Sequence, residues 1–331
     1  MAIRGAGGDQ RMFAAAAQAR VDWHVLFRST DDGAGGRWAT YRRAVKFFWR
    51  FALRKAGVQI CRVSLHRLKL EHGAHYPIEV SLRPLRPYLC DGLSVSDRAA
   101  CVVSHFSWLH ATLRSDTCRA LWQRQCLLFP LASETCTDVS LVLRQSASQS
   151  REGELSFDLL FQGQRLVSTN FSIVGARAAG IAGEERSVAL IAGFQGVRGT
   201  EALMRELGTQ LHRLRPSSLL LCALQGVCAG WDLPAPVTVA QQSHVSAGYA
   251  RRRNIQLDYD RVWTEAGAAR LGSRHWQLPE TPGIRPDSEV ASKHRAQHRR
   301  RNATKLAFFE ACREAASAMK RNSVASAATI G

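Results

Sequence analysis

Between residues 139 and 174 apolar and polar residues alternate with a period of two, and nothing else in the sequence constrains the fold as strongly. A period of two is the signature of a strand, whose successive side chains point to opposite faces. Residues 140–143, 155–161 and 166–173 read as three strands, with Gln162-Gly163-Gln164 as a short hairpin loop between the second and third. Hairpins this short enforce antiparallel pairing, so the segment is a meander. Residues 187–194 form a further, mostly apolar strand of the kind buried on both faces. Gly196 and Gly199 flank a turn, and Thr200 is placed to cap a helix over 201–214 with an apolar stripe of Leu203, Leu207 and Leu211. Arg215-Pro216 stops that helix, Ser217 or Ser218 starts another that reaches Gly230, and 236–240 is a last strand candidate. The expected class is α+β: an antiparallel β-meander followed by a strand–helix–helix–strand unit, with flanking helices.

At about 100–200 residues per domain, 331 residues predict two domains, or one large domain with appendages. Residues 1–36, rich in Ala and Gly, are expected to be a flexible leader. Residues 37–135 read as a mainly helical region, 136–305 as the α+β core, and 306–331 as a C-terminal helix and tail, with the helix itself expected over 303–319. In 77–89, Pro84 and Pro87 interrupt regular structure, and Ser94 or Ser96 is placed to cap the next helix.

Lys and Arg number 45 against 27 acidic residues, a formal net charge of +18. Such a field attracts polyanions, whether an anionic membrane surface or, as a weaker expectation, nucleic acid. The nine cysteines include no CxxC pair, which points to reduced, buried thiols and gives no support for a metal. No secretory signal is read at the start, and no stretch reaches the ~18 apolar residues of a membrane span. The expected location is the cytoplasm, at most peripheral to the inner membrane.

Residues 37–56 place Trp38, Tyr41, Val45, Phe48, Trp49 and Ala52 at steps of three and four, with Arg42, Arg43, Lys46, Arg50 and Arg54 mostly on the remaining arc. We expect a helix packed on the body through its aromatic face, with its basic side in water. The alternative is a membrane-surface helix, whose contacts would include Arg43, Lys46, Phe48, Trp49 and Arg50. A second basic run holds Lys293, Arg299 and Arg301; it suits phosphates, or a solvated and acid-paired helix.

A set of ordered landmarks resembles the VirK/YbjX family of bacterial proteins. They are Leu82-Arg83-Pro84-Leu85-Arg86-Pro87-Tyr88-Leu89, Ser104-His105-Phe106, Glu152-Gly153-Glu154-Leu155, Ala192-Gly193-Phe194-Gln195-Gly196, His212-Arg213-Leu214-Arg215-Pro216, Ser243-His244-Val245, Asp258-Tyr259-Asp260-Arg261-Val262-Trp263 and Ser292-Lys293-His294-Arg295-Ala296. The chain departs from the family pattern at Ser246-Ala247, at 264–268 and at His298. The resemblance implies a protein linked to envelope properties, including virulence, surface-protein display and tolerance of antimicrobial peptides; it implies no reaction.

Two constellations could carry chemistry. The run Gly193-Phe194-Gln195-Gly196-Val197-Arg198-Gly199-Thr200 joins a buried strand to a helix start, where backbone N–H groups hold phosphates. It is similar to the pyrophosphate loop of the N-acetyltransferase superfamily, which would make Gln195, Gly196, Arg198, Gly199 and Thr200 an acyl-CoA site; Arg198 departs from that pattern, and the plainer reading is a tight turn. His244 precedes a cluster of Asp258, Tyr259 and Asp260, a candidate acid–base set, against which stands the commoner hydrogen-bonded structural histidine. Whether the chain is an enzyme is left open, with an acyltransferase as the enzymatic alternative and a nucleic-acid-binding regulator as another.

Overall fold

The computed structural model describes residues 37–321 apart from 75, 124, 130–137, 148–149, 182–185, 247–257 and 285. The expected leader and residues 322–331 lie outside the described residues.

The chain is α+β, built on an eight-stranded sheet among the described residues with the order β1-β2-β3-β4-β5-β6-β8-β7. The strands are β1 (Leu127–Phe129), β2 (Val139–Gln145), β3 (Leu155–Phe161), β4 (Gln164–Gly175), β5 (Ser187–Gly196), β6 (Val237–Val239), β7 (Ala269–Leu271) and β8 (His275–Gln277). The meander β2–β3–β4–β5 is antiparallel, with Leu155 opposite Phe171 and Leu141 opposite Leu159. The β3–β4 loop is Gln162-Gly163, both with positive φ, as a tight hairpin turn requires. Beyond β6 the sheet continues into the β7–β8 hairpin, which the sequence pattern did not reveal.

β5 and β6 are the parallel pair, and they touch at two rungs, Leu190 opposite Val237 and Ile191 opposite Thr238. Between them run α5 (Glu201–Gln210) and α6 (Pro216–Gly230), the expected pair of successive helices. The first is shorter than its leucine stripe suggests, because Leu211 to Arg213 leave the helix and His212 and Arg213 take positive φ. Thr200 does not cap it through its side chain; its Oγ1 donates instead to the Val197 carbonyl at 2.7 Å. The second starts one residue before the expected serines, with Pro216 in its first turn, where a missing N–H costs nothing. α6 is buried on nearly every side and packs on α8 (Arg295–Ala318). Close approach is possible because a Cβ on Gly226 would stand 2.1 Å from the Phe309 carbonyl oxygen.

α3 (Val95–Thr112) packs on β4 and on α1 (Arg37–His72). Its start is a capping box: Ser94 Oγ accepts from Asp97 N–H, and the Asp97 carboxylate accepts from Ser94 N–H. Such a box contributes about 1 kcal/mol. The far end of β4 runs past its last partner on β3, so the N–H groups of Ile173 and Gly175 need other acceptors. His105 Nδ1 (3.1 Å) and Ser104 Oγ (3.3 Å) supply them from α3. After α3 come α4 (Ser115–Trp122) and then β1, which falls at 127–129 and pairs with β2. One buried cluster includes Cys61, Phe106, Phe171, Trp263 and Phe308, and so draws on residues from either side of 135 and of 305.

The long helix α1 corrects an expectation. Val58, Cys61, Leu65 and Leu68 turn one face to the body, joined by Phe51 and by Arg54, whose Nη1 donates to the Leu85 carbonyl. At 100° per residue the stripe of Tyr41, Val45, Phe48, Trp49 and Leu53 lies on the opposite side. It is exposed and turned away from the body's core, with Trp49 68% and Leu53 67% accessible. The sequence supplied two apolar faces, and the body took the other one. The side chains of Trp38 and Arg43 lie outside the described residues.

Among the described residues no helix is long and apolar enough to cross a membrane. The described cysteines are free, and all but Cys126 are buried.

Candidate functional site: a polar cluster on the bulged strand

The two faces of the meander differ in chemistry. Leu155, Phe157 and Leu159 share one face, while Ser156 and Asp158 share the other with their β4 partners Asn170 and Ser168. The same face continues onto β5 at Gly193, opposite Asn170, and Gln195, opposite Ser168. Burying a polar face costs several kcal/mol unless each group finds a partner, and here the groups are paired in networks. Asp158 accepts from Ser156 Oγ (2.7 Å), Ser168 Oγ (2.5 Å) and Arg144 Nε (2.6 Å).

A second network lies where the chain enters β3. Gly153 has φ +144, and a Cβ there would stand 2.5 Å from the Phe171 backbone, so glycine lets this segment lie directly on β4. Glu154 N–H then donates to Ser172 Oγ, and the buried Glu154 carboxylate accepts from Arg83 Nε (2.9 Å), Arg83 Nη2 (3.2 Å) and Tyr88 Oη (2.9 Å). Burial raises the Glu154 carboxyl, but the Arg83 guanidinium outweighs it and holds the group below its ordinary value. The short helix α2 (Ile78–Ser81) and the turn Arg83–Leu85 fill the segment expected to be a plain connection, and they deliver Arg83 to this pair.

Glu152 is the group this geometry brings into play. Gly193 has no side chain, and Glu152 Oε2 occupies the space: a Cβ on Gly193 would be 2.1 Å from it. Asn170 Nδ2 donates to Oε2 at 3.3 Å, and His244 Nε2 stands 3.4 Å from Oε1. His244 is 3% exposed, and its Nδ1 accepts from Ser246 N–H. That bond uses the Nδ1 lone pair and leaves Nε2 buried, 3.4 Å from Glu152 Oε1 and without a hydrogen bond among the described residues. The ring stacks on Tyr259 at 4.9 Å between centroids. Glu152 is 23% exposed, so the carboxylate and not the imidazole is the part of the pair within reach of a ligand.

Tyr259 and Trp263 enter from α7 (Tyr259–Glu265) and occupy the space where β5 and β6 part. Phe194 N–H donates to Tyr259 Oη (3.4 Å), and Trp263 Nε1 donates to the Val239 carbonyl (3.0 Å). Burial, and then the Glu152 charge, push the Tyr259 phenol well above its ordinary value. Just upstream, β5 carries a bulge: Asn170 pairs with Gly193 but Phe171 with Ile191, leaving Ala192 extra.

The other sequence candidates have different neighbours. Asp258 caps α7 by accepting from Arg261 N–H, and Asp260 accepts from Gln241 N–H and Trp276 Nε1. Neither carboxylate bonds to His244 among the described residues. Gln195, Gly196, Arg198 and Gly199 lie exposed at the end of β5, where Gly199 N–H donates to Glu201 Oε1 (3.3 Å). In the basic run Lys293 is exposed, Arg299 faces Asp287 at 3.8 Å, and Arg301 Nε donates to the His212 carbonyl (2.6 Å). No group of three or more metal-ligating side chains occurs among the described residues.

Glu152, Asn170, Gly193 and the Arg83–Glu154–Tyr88 network were not singled out from sequence as a site, although several lie within landmarks of the family resemblance. Landmarks far apart in sequence, at 83–88, 152–154, 193–194, 244 and 259, meet around one cluster. The fold and cluster define an α+β protein with a carboxylate–imidazole pair set on a bulged central strand. A family described as "Protein of unknown function (DUF535)" matches residues 36–312, and the chain belongs to it. The uncharacterized protein YbjX of Escherichia coli (strain K12) is 23% identical over 225 residues, covering 65% of this chain and 66% of that protein. The chain thus spans just under two thirds of that relative's length, and the resemblance to the VirK/YbjX family is borne out. No solved structure matches.

Proposed function

We propose that this chain is a transferase that takes an acyl group from a phosphate-bearing thioester, an acyl-CoA, and passes it to an envelope constituent. The observation that carries the reading is the parting of β5 from β6 after two rungs, beside a bulge and directly ahead of a glycine loop and a helix start. Ligands of such sheets bind outside the carboxyl ends of parallel strands. The donor phosphates sit on the first N–H groups of α5, which have no helical partner and are not capped by Thr200. Arg198 adds a cation and Gln195 an exposed amide there, and Gly196 and Gly199 let the backbone approach.

Glu152, oriented by His244 and Asn170, takes the proton from the acceptor amine or hydroxyl as it attacks the thioester carbonyl. The C–S bond breaks, and the thiolate takes up the proton that Glu152 removed from the acceptor, which returns the carboxylate to its starting state; Tyr259, buried and held by the Phe194 N–H, shapes the site through its stack on His244. His244 is a positioning residue in this scheme. Asp258 and Asp260 hold α7 in place. The link to virulence and antimicrobial-peptide tolerance implied by the family resemblance suits an enzyme that alters the envelope.

Calorimetry and thermal shift with CoA and acyl-CoA test the proposal. Both ligands should bind and stabilise the chain, and Arg198→Glu should weaken binding about tenfold, as loss of a charge-assisted contact would. Glu152→Gln should retain donor binding while thiol release from acyl-CoA disappears. Absence of binding at millimolar CoA would end this reading.

A further inference from the structure

We infer that the outer face of α1 docks the protein on an anionic lipid bilayer. The inference stands on α1 alone and does not need the transferase reading.

α1 is 36 residues long, about 54 Å at 1.5 Å per residue. Its second half is fixed to the body by Val58, Cys61, Leu65 and Leu68, and the body-facing side of its first half by Phe51 and Arg54. On the far side, Tyr41, Val45, Phe48, Trp49 and Leu53 fall within an arc of about 140°. The docking face is carried by Val45, Trp49 and Leu53, all exposed, and Ile60 prolongs the arc by two further turns. Arg42 lies within this arc, Lys46 at one margin and Lys55 beyond the other; all three are exposed. Aromatic and aliphatic side chains in the middle with basic heads at the edges are what an interfacial helix needs: the rings enter the headgroup region while the cations meet lipid phosphates.

Charge decides the occupant. A second copy of this face would bring Arg42, Lys46 and Lys55 against their own kind, on a chain whose formal net charge is already +18. An anionic bilayer covers the apolar arc and neutralises its margins together. The basic run at 293–305 does not duplicate the arrangement, because Ile284 and Leu306 stand beside it as single exposed apolar residues with no stripe at helical spacing, and Arg301 and Lys305 bond to backbone carbonyls.

The test is flotation of the full chain with vesicles of phosphatidylcholine alone and of phosphatidylcholine mixed with phosphatidylglycerol. Binding should require the anionic lipid and weaken with salt. Trp49→Ser/Leu53→Ser should lower partitioning at least about tenfold, given the apolar area lost, with an unchanged melting temperature because both positions are exposed. Lys46→Glu/Lys55→Glu should do the same, each cation near the surface adding roughly fivefold, whereas Lys293→Glu/Arg300→Glu, away from the docked face, should leave partitioning within about threefold of wild type. Equal binding to neutral vesicles, or full binding by Trp49→Ser/Leu53→Ser, overturns the inference. So does an equal loss in Lys293→Glu/Arg300→Glu, which would mean that bulk charge alone is responsible. A dimer in sedimentation equilibrium that Trp49→Ser/Leu53→Ser returns to monomer also overturns it, because the arc would then be a contact between copies.

Discussion

Replacing Arg83 by alanine should be among the most damaging single changes in the chain, and its cost should depend on pH in a direction the pair dictates. Arg83 and Glu154 are 8% and 2% exposed and joined by two hydrogen bonds, with Tyr88 as a further donor. Removing one partner of a buried pair strands the other charge and costs about 3–5 kcal/mol. At an m-value of about 3 kcal/mol/M, the urea midpoint should fall by about 1–2 M. In the wild type the Glu154 carboxyl lies below its unfolded value of ~4.3. Its contribution is therefore present above that pH and lost as pH falls through the folded value. In Arg83→Ala burial, the largest cause, outweighs what remains against it, chiefly the Tyr88 hydrogen bond, and raises the group above ~4.3, so the neutral acid is favoured. The variant's deficit should then be larger at pH 8 than at pH 5. Arg83→Met/Glu154→Leu, which removes both charges, should be closer to wild type than the single change. A deficit under about 1 kcal/mol, one independent of pH, or a double variant worse than the single would each refute the argument.

His105, His110 and His275 are pushed down to about 4, in each case chiefly by burial. The folded chain thus binds fewer protons than the unfolded one below ~6.5, so this stability is complete above that pH and is lost as pH falls toward 4. Urea midpoints measured from neutral pH down to pH 4.5 should drop, less steeply in His105→Gln, and a flat profile would contradict the burial argument. Glu201 now accepts the Gly199 N–H in the loop proposed for phosphates; Glu201→Ala should tighten CoA binding several-fold by calorimetry, and weaker binding would count against that site. Gly226→Ala sets a methyl against the Phe309 carbonyl and should cost at least about 1–3 kcal/mol in chemical denaturation.

The meander was legible because a period of two over buried strands has one reading, and Gln162-Gly163 fixed its register. The β5–α5–α6–β6 order was legible from Gly, Pro and Ser punctuation. β7 and β8 were not, since three-residue strands such as Ala269–Leu271 carry no periodicity of their own. α1 shows why amphipathicity can mislead: with apolar residues on two faces, sequence cannot say which face the body takes. His244 and Tyr259 could be picked out as a titratable pair, but Glu152 could not. Its position depends on Gly153 lying on Phe171 and on the bare Cα of Gly193, both contacts between strands far apart in the chain.

The ends of α3 and α8 are tied together. Arg114 N–H donates to the Met319 carbonyl, Arg321 N–H to the Thr112 carbonyl, and Arg321 Nε to the Leu113 carbonyl across 208 residues. A ribosome delivers the second half of this clasp long after the first. Until then α6 has no α8 to cover Gly226 and its leucines, and a strongly apolar helix waits beside an unfinished sheet. α6 thus stays uncovered while residues 231–318 are made, and the nascent polypeptide should be a client of holding chaperones over that interval.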